Sequence, residues 1–411
     1  MFKKQKKKIK SGYLKNRTLQ TFMTLPDIVK STLFIFAGKR SFSNLNNDYN
    51  VKFLPETQKI KIDFKKIKTS FTNTAGKGES STTFFVESIG DSLIVARKSG
   101  EFYLYKISSY MSQTKKINHK RLIVNNLKKD KLKLTINDTK IIDNYLFVLS
   151  SLKKSEDCTQ LRVHYAEVDD VLDFKLFKFF DECITANRVN YGLPGGSMEK
   201  YFLNGSPGLL VSTASLNNVH LGAPSVSQND DSILGKILFI YYDSKEHIIL
   251  SKGHRNPQGL TVKNNLIISS EHGPVGGDEI NNIKYKNNYG WPLASYGEPE
   301  MNRKNEFKKS HSENGFAEPI FTFIPSVGLS ELIYLPNTFH EEWNDNLIVS
   351  SLNGKHLFRF KFKDNKFENI LFKENIYIGE RIRDINYNKK NNIIILALET
   401  TGSVGILSPK N

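Results

Sequence analysis

Only two cysteines, Cys158 and Cys183, occur among the 411 residues of this chain. That excludes a disulfide-built scaffold and any CxxC or zinc-type spacing, and leaves one bridge between the two open. No apolar run approaches the ~18 residues that cross a bilayer as a helix. The longest, residues 31–38, is far too short. Acid is missing from the start, where Lys3, Lys4, Lys6, Lys7, Lys8, Lys10, Lys15 and Arg17 all precede the first carboxylate, Asp27. A secretory leader would follow such a start with a continuous apolar core and a small-residue cleavage site. Ser11-Gly12 and Asn16-Arg17-Thr18 interrupt it, so no clear signal peptide is read. Helical periodicity is scarce, and the one helix of note is expected near residues 25–36.

What is present is globular in composition, 39% hydrophobic and 25% charged, with a formal net charge of +17. Such a charge favours acidic partners, polyanionic glycans and anionic lipid among them. The lysines are spread along the whole chain, so compositional bias explains the charge as well as a partner does. A surface contact through the basic N-terminus would add ~1 kcal/mol per basic residue. No specific nucleic-acid binding is expected.

Six times a turn residue is followed by a short β-branched or leucine-rich strand, a polar loop and another apolar strand. These units start at Asp91, Asn144, Gly208, Asn264, Asp345 and Asn391. Short-strand repeats of this kind suggest the blades of a β-propeller. A β-sandwich or two stacked sheets is the alternative that strand signal alone leaves open. Flanking strands are expected at 82–88 and 121–126 for blade one, and at 329–335 and 369–373 for blade five. The sixth unit reaches the C-terminus with three strands. Residues 59–64 (KIKIDF) alternate cleanly and have no place in blade one, so they are predicted to pair with the last blade and close the ring. The organisation is therefore a basic extension over residues 1–50 and an all-β, six-bladed propeller of four-stranded blades over 51–411.

Residues 253–292, GHRNPQGLTVKNNLIISSEHGPVGGDEINNIKYKNNYGWP, crowd glycine, proline and polar side chains around one apolar strand. Loops of this kind carry function on a rigid scaffold. The stretch resembles the soluble quinoprotein glucose/sorbosone dehydrogenase family, which includes aldose sugar dehydrogenases. The family pattern runs G-H-R-N-P-Q-G, a strand, E-H-G-P-x-G-G-D-E-[IL]-N, then N-Y-G-W-P. A second patch, Gly379-Glu380-Arg381-Ile382-Arg383-Asp384, resembles its G-x-R-[IY]-R-D. The resemblance implies a six-bladed propeller, pyrroloquinoline quinone (PQQ) as cofactor, calcium, and oxidation of a sugar at its anomeric carbon. It also implies an extracytoplasmic or periplasmic setting.

By that resemblance Arg255, Asn256, Arg381 and Arg383 would contact PQQ. Guanidinium suits a tricarboxylated quinone because its forked donors grip carboxylates in pairs. Gly273 and Pro274 would offer carbonyls to the calcium that bridges to PQQ, and Glu279 and Tyr289 would belong to a structural ion; calcium takes hard oxygen ligands of these kinds. A solvated turn is the plain alternative for Asp278-Glu279.

Elsewhere the pattern departs. The family's general base, a histidine before Gly-Gly-Arg, aligns with Leu193, and the aspartate that orients it aligns with Ser215. The early G-[QE]-G-G-L-L-G has no counterpart around residues 132–137. Asn353, with Lys355 two residues on, stands where sugar dehydrogenases often have lysine. His220, in the loop after the Ser215 strand, is the candidate replacement base. Two functions follow. One is a PQQ- and calcium-dependent oxidoreductase acting on a small aldose-type sugar; the other is a non-catalytic propeller binding a glycan, a protein or an anionic surface.

Overall fold

The computed structural model describes residues 62–69, 83–112, 119–127, 134–155, 158–184, 196–215, 225–299, 307–363 and 366–409. The basic extension, the 25–36 helix, Leu193 and His220 lie outside them. Six four-stranded antiparallel sheets form the fold. Blade one uses Phe84–Ile89, Ser92–Arg97, Phe102–Lys106 and Lys120–Arg121. Blade two uses Leu134–Ile142, Tyr145–Ser155, Cys158–Glu167 and Lys175–Phe179. Met198–Leu203, Ser206–Ser212, Lys236–Tyr241 and His247–Lys252 form blade three. Blade four comprises Pro257–Lys263, Leu266–Glu271, Asp278–Ile283 and Phe321–Phe323. Leu329–Tyr334, Leu347–Ser351, His356–Phe362 and Ile370–Tyr377 make blade five.

Blade six takes Ile382–Asn388, Ile393–Leu398 and Ser403–Pro409, and its fourth strand is the N-terminal Ile62–Lys68, paired antiparallel to Ser403–Pro409. The predicted closure therefore holds, and the strand runs on past Phe64 to Lys68, while residues 59–61 lie outside the described residues. The first strands of successive blades pack side by side in a closed cycle, blade six meeting blade one. One expectation is corrected. Residues 121–126 do not supply blade one's outer strand, which ends at Arg121, because Ile123–Asn125 pairs in parallel with Val171–Asp173 as a separate two-stranded ribbon.

The apolar strands read as they do because each blade is covered on both faces by its neighbours. All six side chains of Ile393–Leu398 are buried, as are all five of Leu347–Ser351, whereas the outer Ile370–Tyr377 is only partly covered. Burying each such aliphatic side chain is worth about 1.5–3 kcal/mol. At the closing seam Phe84, Val86, Leu93 and Val95 of blade one pack on Ile393, Ile395, Val404 and Ile406 of blade six.

Each seam also carries a polar buckle. Asp384 accepts from the amide of Val86 (2.7 Å), Glu87 from Ile141 (2.9 Å) and Asp138 from Met198 (2.9 Å). Leu260 N–H is shared by Ser197 Oγ and Glu331 (3.1 Å each), Asp278 accepts from Val327 (2.9 Å), and Ser330 donates to Ile382 O (2.6 Å). Asp138, Glu331 and Asp384 sit where their strands slip register, and such bulges turn a side chain out of the ladder. Burial is the largest cause lifting these carboxyls, to about 8 for Glu331 and about 7 for Glu87 and Asp384.

Cys158 and Cys183 form a disulfide at a sequence separation of 25, tying the third strand of blade two to the segment after its fourth. Closing a loop of that size stabilises a chain by about 3 kcal/mol. Cys158→Ser should therefore lower the midpoint of urea unfolding in a non-reducing buffer, and reduction should do the same to the wild type and nothing further to the variant.

Candidate functional site

In an antiparallel blade, the loop entering the first strand and the loop joining the second to the third open on the same face. Residues 255–256, 272–277, 353–355, 381 and 399 all belong to such loops or their edges, so blades four to six present them at one mouth. Gly273 and Gly277 make the 273–277 loop what it is. A Cβ at Gly273 would lie 2.2 Å from Gly276 O, and one at Gly277, which has φ +72°, would lie 2.3 Å from Gly297 N. The backbone curls on itself where only hydrogen fits.

The side chains form one connected network. Arg255 donates to His272 O (3.2 Å) and lies over the Trp291 ring, 5.3 Å from its centroid. His272 Nε2 bonds Leu329 O in blade five, and its Nδ1 lies 3.5 Å from Asn256 Nδ2. Asn256 Oδ1 accepts from Gln258 Nε2 (2.9 Å), and Gln258 Oε1 accepts from Arg383 (3.4 Å). Arg383 and Arg381 both grip Glu399, at 3.1 and 3.0 Å, and Arg381 also donates to Asn353 Oδ1. Arg255, Asn256, Arg381 and Arg383 are thus linked across three blades. Burial disfavours the Glu399 anion, but the Arg383 and Arg381 guanidiniums outweigh it and bring its carboxyl down to about 2. Burial holds His272 below the usual histidine value, with Asp278 opposing and Arg255 adding.

Sequence reasoning missed Glu399 and Gln258. The first is placed by the hairpin: Ile382 pairs with Leu398, which sets residue 381 opposite 399, and Glu399 N–H donates to Arg381 O (2.8 Å). Ser215, aligned with the family's orienting aspartate, is also at the mouth. It accepts from Trp291 Nε1 (3.0 Å), and its amide donates to Arg255 O (2.9 Å).

Asp278 and Glu279 are not a solvated turn, since both are buried. Asp278 clamps the loop, accepting from Gly273 N (2.9 Å) on one oxygen and from Val327 and Gly328 N on the other. Glu279 lies beside a second buried carboxylate, Glu271, with the Asn281 amide donating to both at 3.3 Å. Burial first and Glu271 second raise the Glu279 carboxyl well above its usual range. His254 joins Glu271 (3.3 Å) to Ser251 (2.8 Å) and stacks on Tyr289. The Tyr289 hydroxyl is taken, donating to Asn282 O (2.5 Å) and accepting from Lys284 N (3.0 Å).

Two cofactor fits can be tested on this geometry. For a flat polycarboxylate the donor set suits, because three guanidiniums belong to the linked network and a single carboxylate, Glu399, gripped by Arg381 and Arg383, opposes them. For calcium the chemistry is partial. Carbonyl oxygens crowd in the 273–277 curl, and the Glu271–Glu279 pair with the unbonded Asn281 Oδ1 is a hard-oxygen cluster in want of a cation. Yet among the described residues no three His, Cys, Asp or Glu side chains gather as a metal site. No helix among them is long and apolar enough to cross a membrane.

Residues 208–406 match the Glucose / Sorbosone dehydrogenase family model. The chain is 31% identical over 168 residues to the Aldose sugar dehydrogenase YliI of Escherichia coli (strain K12), covering 40% of this chain and 44% of that protein. The chain spans about half the length of the curated relatives it matches. In structure it resembles the apo form of soluble aldose sugar dehydrogenase from Escherichia coli, with a TM-score of 0.65, 17% identity, and coverage of 85% of this chain and 100% of that one. The PQQ-bound form of aldose sugar dehydrogenase from Streptomyces coelicolor aligns at a TM-score of 0.53 and 16% identity, covering 86% and 99%. At these identities the structural likeness concerns the fold.

Proposed function

We propose that this protein binds PQQ, with calcium, at the mouth formed by blades four to six, and oxidises an aldose-type sugar there. The observation that carries this reading is the linked set Arg255, Asn256, Arg381 and Arg383, with Glu399 holding the last two and His272 and Gln258 the first two. PQQ, when bound, would supply the hydride acceptor. The chain's own part is to bind and orient. Arg255, braced over Trp291, and the paired Arg381 and Arg383 would hold its carboxylates, while Asn256 would offer an amide donor. Gly273 and Pro274 would turn carbonyls to the bridging calcium, and Glu279 with Glu271 would hold the second ion.

Proton removal from the sugar hydroxyl is where this chain differs from its relatives. Leucine at 193 takes no proton, and Ser215 is occupied by Trp291. A positioned base is worth roughly 10²–10⁴-fold in rate, so turnover would be slow and would rest on His220. The test is dye reduction by the purified protein with PQQ, calcium and a panel of aldoses. Slow, PQQ-dependent reduction that falls further in His220→Ala is expected. No sugar-dependent reduction by a protein shown to hold PQQ would remove the dehydrogenase reading.

A further inference from the structure

We propose that His272 is a positioning residue whose Nδ1 lone pair fixes the orientation of the Asn256 amide toward the bound cofactor. The inference deepens the PQQ-binding reading and rests on it. Leu329 O can only accept, so the His272 nitrogen bonded to it, Nε2, carries the ring hydrogen. In the neutral ring Nδ1 is then an acceptor, and it faces Asn256 Nδ2 at 3.5 Å. That distance is long, as such bonds often are before a ligand tightens them. On the other side Gln258 Nε2 donates to Asn256 Oδ1.

The direction of every bond in this row is thereby set. Arg383 donates to Gln258, Gln258 to Asn256, Asn256 to His272, and His272 to the backbone of blade five. Rotating the Asn256 amide by half a turn would set oxygen against the His272 lone pair and N–H against the Gln258 N–H. Both contacts would be lost together. His272 so decides that Asn256 shows the mouth its second amide hydrogen from a fixed place. An exposed asparagine would show donor or acceptor indifferently.

Two substitutions separate this role from simple support of the loop. Asn at 272 retains an acceptor near the Nδ1 position and loses the donor to Leu329. Gln retains a donor near Nε2 and loses the acceptor. Absorbance titrations of PQQ with calcium into wild type, His272→Asn and His272→Gln should show the Asn variant within roughly 3-fold of wild type. The Gln variant should bind about 10-fold more weakly, the cost of one neutral hydrogen bond. The reverse order, or equal losses in both, would overturn the proposal. A second readout needs no cofactor: nitrogen-15 shifts of histidine-labelled wild type should show His272 protonated on Nε2, and protonation on Nδ1 would refute it. Wild type that takes up no PQQ would instead defeat the binding reading, while the tautomer measurement would still decide the orientation of Asn256.

Discussion

Arg383→Ala should weaken PQQ binding by roughly 100-fold and make the propeller acid-sensitive in a new way. The first effect follows from removing a charge-assisted donor, worth about 1.5–3 kcal/mol. The second follows from Glu399. Its carboxylate is almost wholly buried and is ionised because two guanidiniums grip it. Since its folded value, about 2, lies below the ordinary 4.5, its contribution to stability is present above pH 4.5 and is lost as pH falls toward 2. With one arginine gone the carboxyl rises, so that contribution shrinks and acid unfolding begins at higher pH. Removing one partner of a buried pair costs up to about 3–5 kcal/mol. The Arg383 side chain is partly exposed, which places the loss at the low end. The checks are a PQQ titration and a thermal melt series from pH 3 to 7. Unchanged PQQ affinity would remove Arg383 from the binding set.

Glu331→Gln should make the protein more stable than wild type in alkaline buffer. Glu331 accepts from Leu260 N, Leu332 N and Ser197 Oγ at the centre of the ring, where glutamine retains the shape. Its folded value of about 8 exceeds the ordinary 4.5, because burial outweighs the attraction of Lys140 and Asp384 adds repulsion. A raised acid binds more protons in the folded state, so stability falls as pH climbs from 4.5 through 8. Each unit of pH in that window costs the wild type up to about 1.4 kcal/mol relative to a side chain that cannot ionise. The melting temperature of the variant minus that of wild type should therefore grow from pH 5 to 9. A constant difference would mean that Glu331 is ionised throughout.

The architecture was legible because six apolar strand pairs follow turn residues, and buried blades demand that composition. Asn264 and Asn265 adopt φ of +49° and +64°, and asparagine tolerates this conformation better than most residues. What local pattern could not supply was partner choice. Ile123 and Val124 fit a strand in either blade one or the ribbon with Val171–Asp173, and their sequence is the same in both. The closing strand runs further than expected for a similar reason: Lys65-Lys66 breaks the apolar alternation after Phe64, and only pairing with Ser403–Pro409 carries the strand on to Lys68.

At the site, residues adjacent in the long motif could be found together, since Arg255 through Glu279 are brought near by one blade. Glu399 could not be found by motif, because its role depends on two arginines across a hairpin. The Glu271–Glu279 pair escaped for a different reason. Glu279 was read as an ion ligand by resemblance alone, and only the packing of His254, Asn281 and Tyr289 shows Glu271 buried beside it.

Equilibrium titration of PQQ into the full chain, read by the quinone absorbance with and without calcium, bears most directly on the account. One PQQ per chain at micromolar concentration, lost when Arg255, Arg381 and Arg383 are replaced together, is the expected result. No uptake by wild type, or uptake indifferent to those arginines, would contradict a cofactor mouth on blades four to six.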